Sequence, residues 1–251
     1  MRITWLQWMR SPARLGFVFY LTCVLPIGVA LMTFNSASHE LGLAEATFVA
    51  LGLNLVLGAG IICREREDGV IATVLSRPIR RSTYVLAKWL ALALASWAGT
   101  LLFIALQCLI FYFSYWHPID LLLILKATAE CAFLAFGLAA TMVALSSWAP
   151  SYGDLVLYGV AWVFLMMISS FVEVLETIPI APNSLMTLFR PAAASLHHLS
   201  EALFAILMPM VNLPIAHGLW LHTLIMYMSN LFGALLFAIW WLNRKEITYG
   251  G

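Results

Sequence analysis

The sequence predicts an all-α polytopic membrane protein with six transmembrane helices, and three observations carry that expectation. Hydrophobic residues make up 63% of the 251-residue chain and charged residues 10%, with a mean hydropathy of +0.94, against roughly 25% charged residues in soluble domains. Apolar runs of bilayer length recur along the chain, and basic residues crowd onto one side of them. Formal net charge is +1, which gives no electrostatic footprint for nucleic acid.

The chain reads as a single transmembrane domain, 1–251. Met1 to Pro12 alternates Trp5, Leu6, Trp8 and Met9 with Arg2, Gln7 and Arg10, the pattern of an interfacial helix with tryptophans at headgroup depth. The run 15–34 has the roughly 20 residues needed to cross a hydrocarbon core of about 30 Å. A cleavable signal peptide is its rival, but the run exceeds an ordinary signal core and more spans follow, so it is read as a first span kinked at Pro26. The second run, 44–63, contains Gly52, Gly58 and Gly60, small residues that permit close helix contact. The third is 87–113 and the fourth 119–148, its cleanest part beginning at Cys131 with a stripe of Ala132, Ala135, Ala139 and Val143. Ala149 to Asp154 is a turn cluster; the fifth and sixth runs are 155–175 and 218–242. Between them, 176–217 is broken by five prolines counted from Pro179 to Pro214. It reads as an outer re-entrant or interfacial region, with Ala192 to Leu207 amphipathic. The four cysteines, Cys23, Cys63, Cys108 and Cys131, lie in or at the end of apolar runs without CxxC spacing, which predicts free structural thiols.

One stretch breaks the pattern. Cys63 to Lys88 carries Arg64, Arg66, Arg77, Arg80, Arg81 and Lys88 against Glu65, Glu67 and Asp68, so it is expected at a water-facing surface between two spans. Val70, Ile71, Val74 and Leu75 share one helical face, acids precede them, and Ser76-Arg77-Pro78 stops the helix. This predicts a short amphipathic helix, 64–78, across the membrane surface. With Met1 cytoplasmic, Arg2, Arg10, Arg14, the Arg64 to Lys88 cluster, Arg244 and Lys245 are all cytoplasmic, eleven of the thirteen Lys and Arg, leaving only Lys126 and Arg190 elsewhere. That asymmetry places both termini and the charged stretch in the cytoplasm and all six histidines at or near the outer surface.

No phosphate-binding loop, GxSxG elbow or HExxH pair occurs, so neither a nucleotide site nor a recognised hydrolytic site is expected in the chain. Lys126 and Glu130, spaced i, i+4 near the outer end of the fourth span, read either as a pair facing a translocation path or interface or, more simply, as a helix pair with the lysine snorkelling outward. The outer histidines and the methionine pairs are read as amphipathic decoration and filler rather than as a metal site. No histidine sits mid-span where a haem would need one. An electrostatic anchor to lipid headgroups would explain the basic residues of the charged stretch. It would not explain its three acids, Gly69, apolar helical face and proline stop, which fit a docking knob for another protein.

Glu65-Arg66-Glu67-Asp68-Gly69-Val70-Ile71, then Val74-Leu75-Ser76-Arg77-Pro78-Ile79-x-Arg81 and Lys88, resemble the acid-Gly-Thr-Leu, Leu-Leu-Ser-x-Pro, Arg and Gly-Lys pattern of permeases of the type-2 export (ABC-2) class of ABC transporters. The short six-span form is similar to permeases linked to copper-enzyme maturation. Val70 stands where threonine is common and Ala87 where glycine usually precedes the lysine. The resemblance implies a permease subunit that is not itself an enzyme, in the inner membrane of a bacterium, exporting a substrate with ATP hydrolysed by a separate subunit. It implies two ATPase copies and a second permease chain forming a homodimer among membrane lipids. It also implies no cofactor on this chain, with ATP and Mg on the partner. Arg64, Glu65, Arg66, Glu67, Asp68, Gly69, Ile71, Val74, Leu75, Arg77, Pro78 and Arg81 would form the coupling helix that seats in the ATPase. Two rivals remain: a membrane scaffold or assembly factor, distinguished by a complex without stimulated ATPase activity, and a redox subunit, distinguished by haem absorbance or bound copper.

Overall fold

The computed structural model describes residues 11–29, 44–76, 79–115, 121–150, 152–177, 195, 198–200, 202–203, 206–207 and 220–244. Among them the regular structure is entirely helical, and six helices are long and apolar enough to cross a membrane. The expected interfacial helix 1–12 lies almost wholly outside the described residues, as does most of 176–217.

Helix α1, Pro12–Phe19, starts with proline at its first turn, where a missing N–H costs nothing. It runs into a π-helical turn, Tyr20–Val24, and helix resumes to residue 29. The kink expected at Pro26 is thus taken up one turn earlier. A proline ring crowds the carbonyl four residues back, and widening the turn there leaves Leu25 N–H bonded to Tyr20 O.

Helix α2 is Ala44–Gly58; two short helices follow, α3 (Cys63–Glu67) and α4 (Val70–Leu75), and then the long spans α5 (Arg81–Tyr115), α6 (Leu121–Trp148), α7 (Gly153–Thr177) and α8 (Trp220–Arg244). The third span therefore begins six residues before the apolar run does, and Lys88 lies inside it rather than in a surface loop.

Helix α6 is the central post, packed against α2, α5 and α8. Its alanine stripe does what small residues do: Ala135 and Ala139 are fully buried and bring neighbouring backbones close. The inner core gathers Leu57, Ile62, Leu92, Leu138, Met142 and Leu235, and a smaller outer core gathers Val49, Leu53, Phe103 and Cys131. Two glycines lie in close contact at the crossings, where an added side chain would require neighbours to shift. A Cβ at Gly99 would fall 2.7 Å from Leu53 Cδ1, and one at Gly58 would fall 3.0 Å from Leu92 Cδ2 and 3.2 Å from Met142 Cβ.

The first and fifth spans are different. Only 17% of each apolar window is buried within the chain, against 67% for the second span. Within 176–217, the carbonyls of Ile206 and Leu207 accept hydrogen bonds from Thr141 and Tyr158 (3.3 and 3.1 Å). Those hydroxyls belong to the end of α6 and the start of α7 nearest the α6–α7 turn.

A clamped elbow as the candidate functional site

The charged stretch forms an elbow of two short helices rather than one helix. Helix α3 ends at Asp68, and Gly69, at φ +70°, adopts the left-handed conformation that closes a helix and that glycine alone adopts without strain. Its N–H reaches back to Arg66 O at 3.2 Å, and α4 begins at the next residue. A Cβ at Gly69 would meet nothing within 4 Å, so backbone conformation, not crowding, is what calls for glycine there.

The elbow has a buried side bolted to α5 and α6, and the residues flanking it are bolted to α7 and α8. Glu65 is 1% exposed and Lys88, two turns into α5, 5%; Lys88 Nζ donates to Glu65 Oε1 at 2.5 Å and Tyr84 Oη donates to Glu65 Oε2. Two charges can be held out of water because each has its counter-charge and the remaining carboxylate oxygen has a donor. Arg66 turns toward α6 and donates to the carbonyls of Ser147 (3.0 Å) and Ala149 (3.1 Å), placing a cation at the negative end of that helix. Arg81 does the same to α8, donating to Leu242 O (2.5 Å) and Asn243 O (3.2 Å). Ser146 Oγ accepts from Ile62 N–H (3.0 Å) and Cys63 N–H (3.2 Å), satisfying the first turn of α3. Asp154, fully buried at the start of α7, accepts from Gly60 N–H at 2.8 Å. Gly60, at φ +71°, makes the turn that allows this.

The other side of the elbow is uncovered by the rest of the chain. Arg64, Glu67, Asp68 and Gly69 are exposed, Arg64 and Asp68 being a loose pair at 3.9 Å with half or more of each side chain accessible.

The candidate residues therefore divide. Arg64, Glu67, Asp68 and Gly69 lie outward; Glu65, Arg66 and Arg81 serve contacts within the chain. Ile71 is 2% exposed, and Val74 packs with it against the inner core, so the apolar face of α4, expected to give affinity for a partner, covers the chain's own interior. Arg77 and Pro78 lie outside the described residues, as does the side chain of Leu75. Lys126 and Glu130 do pair, at 3.9 Å on the outer end of α6 with about a third of each side chain exposed, far along α6 from the Ser146–Ala149 end that holds the elbow.

Sequence reading missed Tyr84, Ser146, Tyr152 and Asp154. The signal available was polar residues beside a turn cluster in an apolar chain, which needed the third dimension to be joined to residues some ninety positions earlier.

Among the described residues, no three metal-ligating side chains gather. A family model described as ABC-2 family transporter protein matches residues 27–241. No curated protein matches the chain.

Proposed function

Because the chain belongs to the ABC-2 family of transporter proteins, we propose that it is the membrane-spanning permease subunit of an ATP-binding cassette exporter, worked from the cytoplasm by a separate ATPase. The observation that carries this reading is the two-sidedness of the elbow. Its outward residues present mixed charge at a break between helices, where charges set docking register. Its inward residues tie it to α5 and α6, and the residues flanking it, Gly60 and Arg81, carry the ties on to α7 and α8. A push on the elbow is thereby shared among the spans instead of being absorbed by a loop, because each tie is a hydrogen bond to backbone or a buried ion pair.

ATP and Mg belong on the ATPase, present as two copies, and no cofactor is assigned to this chain. The first and fifth spans, largely uncovered within one chain, are the surfaces we assign to a second permease copy in a homodimer and to lipid. We read 176–217 as a segment re-entering from the outer face; the bonds from Thr141 and Tyr158 to residues 206–207 support that depth. The crowding of basic residues on one side supports a cytoplasmic elbow and cytoplasmic termini, and we assign the chain to a bacterial inner membrane. We propose that it is of the short six-span form similar to permeases of copper-enzyme maturation.

Co-expression with the cognate ATPase tests the reading. Replacing Glu67 and Asp68 together, both on the outward side, with Gly69 kept, should leave the permease folded in the membrane while abolishing co-purification and stimulated ATP turnover. Unchanged complex and turnover would remove the docking role.

A further inference from the structure

The outward side of the elbow also borders a polar cavity, to which it contributes Arg64 and Asp68 and the start of α1 contributes Ser11 and Arg14. The cavity, of about 460 Å³, opens between the start of α1, the Gly60 turn and the α6–α7 turn, and is lined also by Gly60 and Tyr152. We propose that it binds the phosphate of an anionic phospholipid from the leaflet on the elbow's side.

Both arginines are preset. Arg14 Nη2 donates to Ala59 O at 2.8 Å and its guanidinium lies 5.9 Å from the centroid of the Tyr152 ring. Arg64 Nη1 donates to Tyr152 Oη at 2.9 Å. These contacts use one nitrogen of each guanidinium, leaving other donors of each fork for an anion. Tyr152 Oη accepts from Arg64, so its own proton is available to a second acceptor. Ser11 caps no N–H of α1 with its side chain, and the positive end of that helix adds to the field. Asp68 opposes an anion, but it is a single acid set against two arginines and lies 3.9 Å from Arg64 Nε, with 59% of its side chain exposed.

Lipid rather than free phosphate is favoured by what continues from the cavity. Directly after Arg14, Leu15 and Phe19, one turn apart on one face of α1, are 40% and 61% exposed. A phosphate held at Arg14 would leave its acyl chains lying along this face, at the depth where arginine meets the headgroups of an anionic leaflet.

The test uses full-length permease without the ATPase, so its outcome is independent of the docking proposal. Delipidated protein in detergent is titrated with phosphatidylglycerol, phosphatidylcholine and inorganic phosphate, reading thermal stabilisation and, by native mass spectrometry, retained lipid. Saturable binding of phosphatidylglycerol is expected, weakened about fivefold or more by each of Arg14→Gln and Arg64→Gln, and by Tyr152→Phe to a smaller extent. Arg64 is on the exposed side of the elbow, so its variant carries the test if Arg14→Gln does not fold. Equal binding by wild type and the Arg64→Gln variant would overturn the proposal. So would inorganic phosphate stabilising the protein as well as the lipid does, since that outcome makes the cavity a free-anion site.

Discussion

Lys88–Glu65 and Lys126–Glu130 are the same chemical pair at opposite ends of the molecule, and they differ in nearly everything that matters energetically. The first joins two helices at 2.5 Å with side chains 6% and 2% exposed; the second spans one turn of a single helix at 3.9 Å with side chains 37% and 31% exposed. The inner pair cannot lose one member without stranding a charge away from water. The outer pair can, because solvent and headgroups take over. An ion pair reveals its role through its surroundings, not its charges.

Four variants sharpen or break that comparison. Lys88→Ala leaves the Glu65 carboxylate buried with only Tyr84 as donor, and should cost about 3–5 kcal/mol of stability, read as a large fall in melting temperature in detergent. If Lys88→Ala melts like the wild type, the elbow is not clamped in this way. Replacing Glu65 and Lys88 together by residues of similar volume should recover much of the loss. Arg66→Ala removes two charge-assisted bonds to the end of α6 and should cost about 1.5–3 kcal/mol, with the added effect that proteolysis near residues 149–154 becomes faster. Lys126→Ala should cost at most about 0.5 kcal/mol, less in high salt. A loss comparable to that of Lys88→Ala would show that the outer pair is structural after all.

Much of the architecture was legible because its determinants are local. Apolar runs of bilayer length gave all six spans, and the Arg and Lys distribution gave one face of the membrane a distinct character. The charged stretch was read as one helix, 64–78, begun by its acids; Glu65 and Glu67 lie instead on a helix of their own, and an elbow of two helices stands where one was expected. What the chain did not disclose was which charges face inward. Glu65 and Glu67 are alike in sequence, two residues apart, yet 1% exposed and exposed respectively. The difference comes from Tyr84 and Lys88, some twenty residues on, and no periodicity within a short charged run encodes that partnership. The amphipathic face of α4 was visible for the same reason that its partner was not: the spacing shows that a face is apolar, and only packing shows what covers it.

Arg66 and Arg81 both grip main-chain oxygens, at Ser147, Ala149, Leu242 and Asn243. Any residue offers such an oxygen, so the hold itself does not depend on which side chains stand at the gripped positions; those of Ser147, Ala149 and Leu242 are constrained by burial instead. The Arg66 guanidinium is not interchangeable in the same way, since a lysine offers a point charge where its planar fork spans two acceptors with two nitrogens. The tolerance of this grip to mutation is therefore lopsided: the hook at Arg66 is fixed by chemistry and its eyelets are generic.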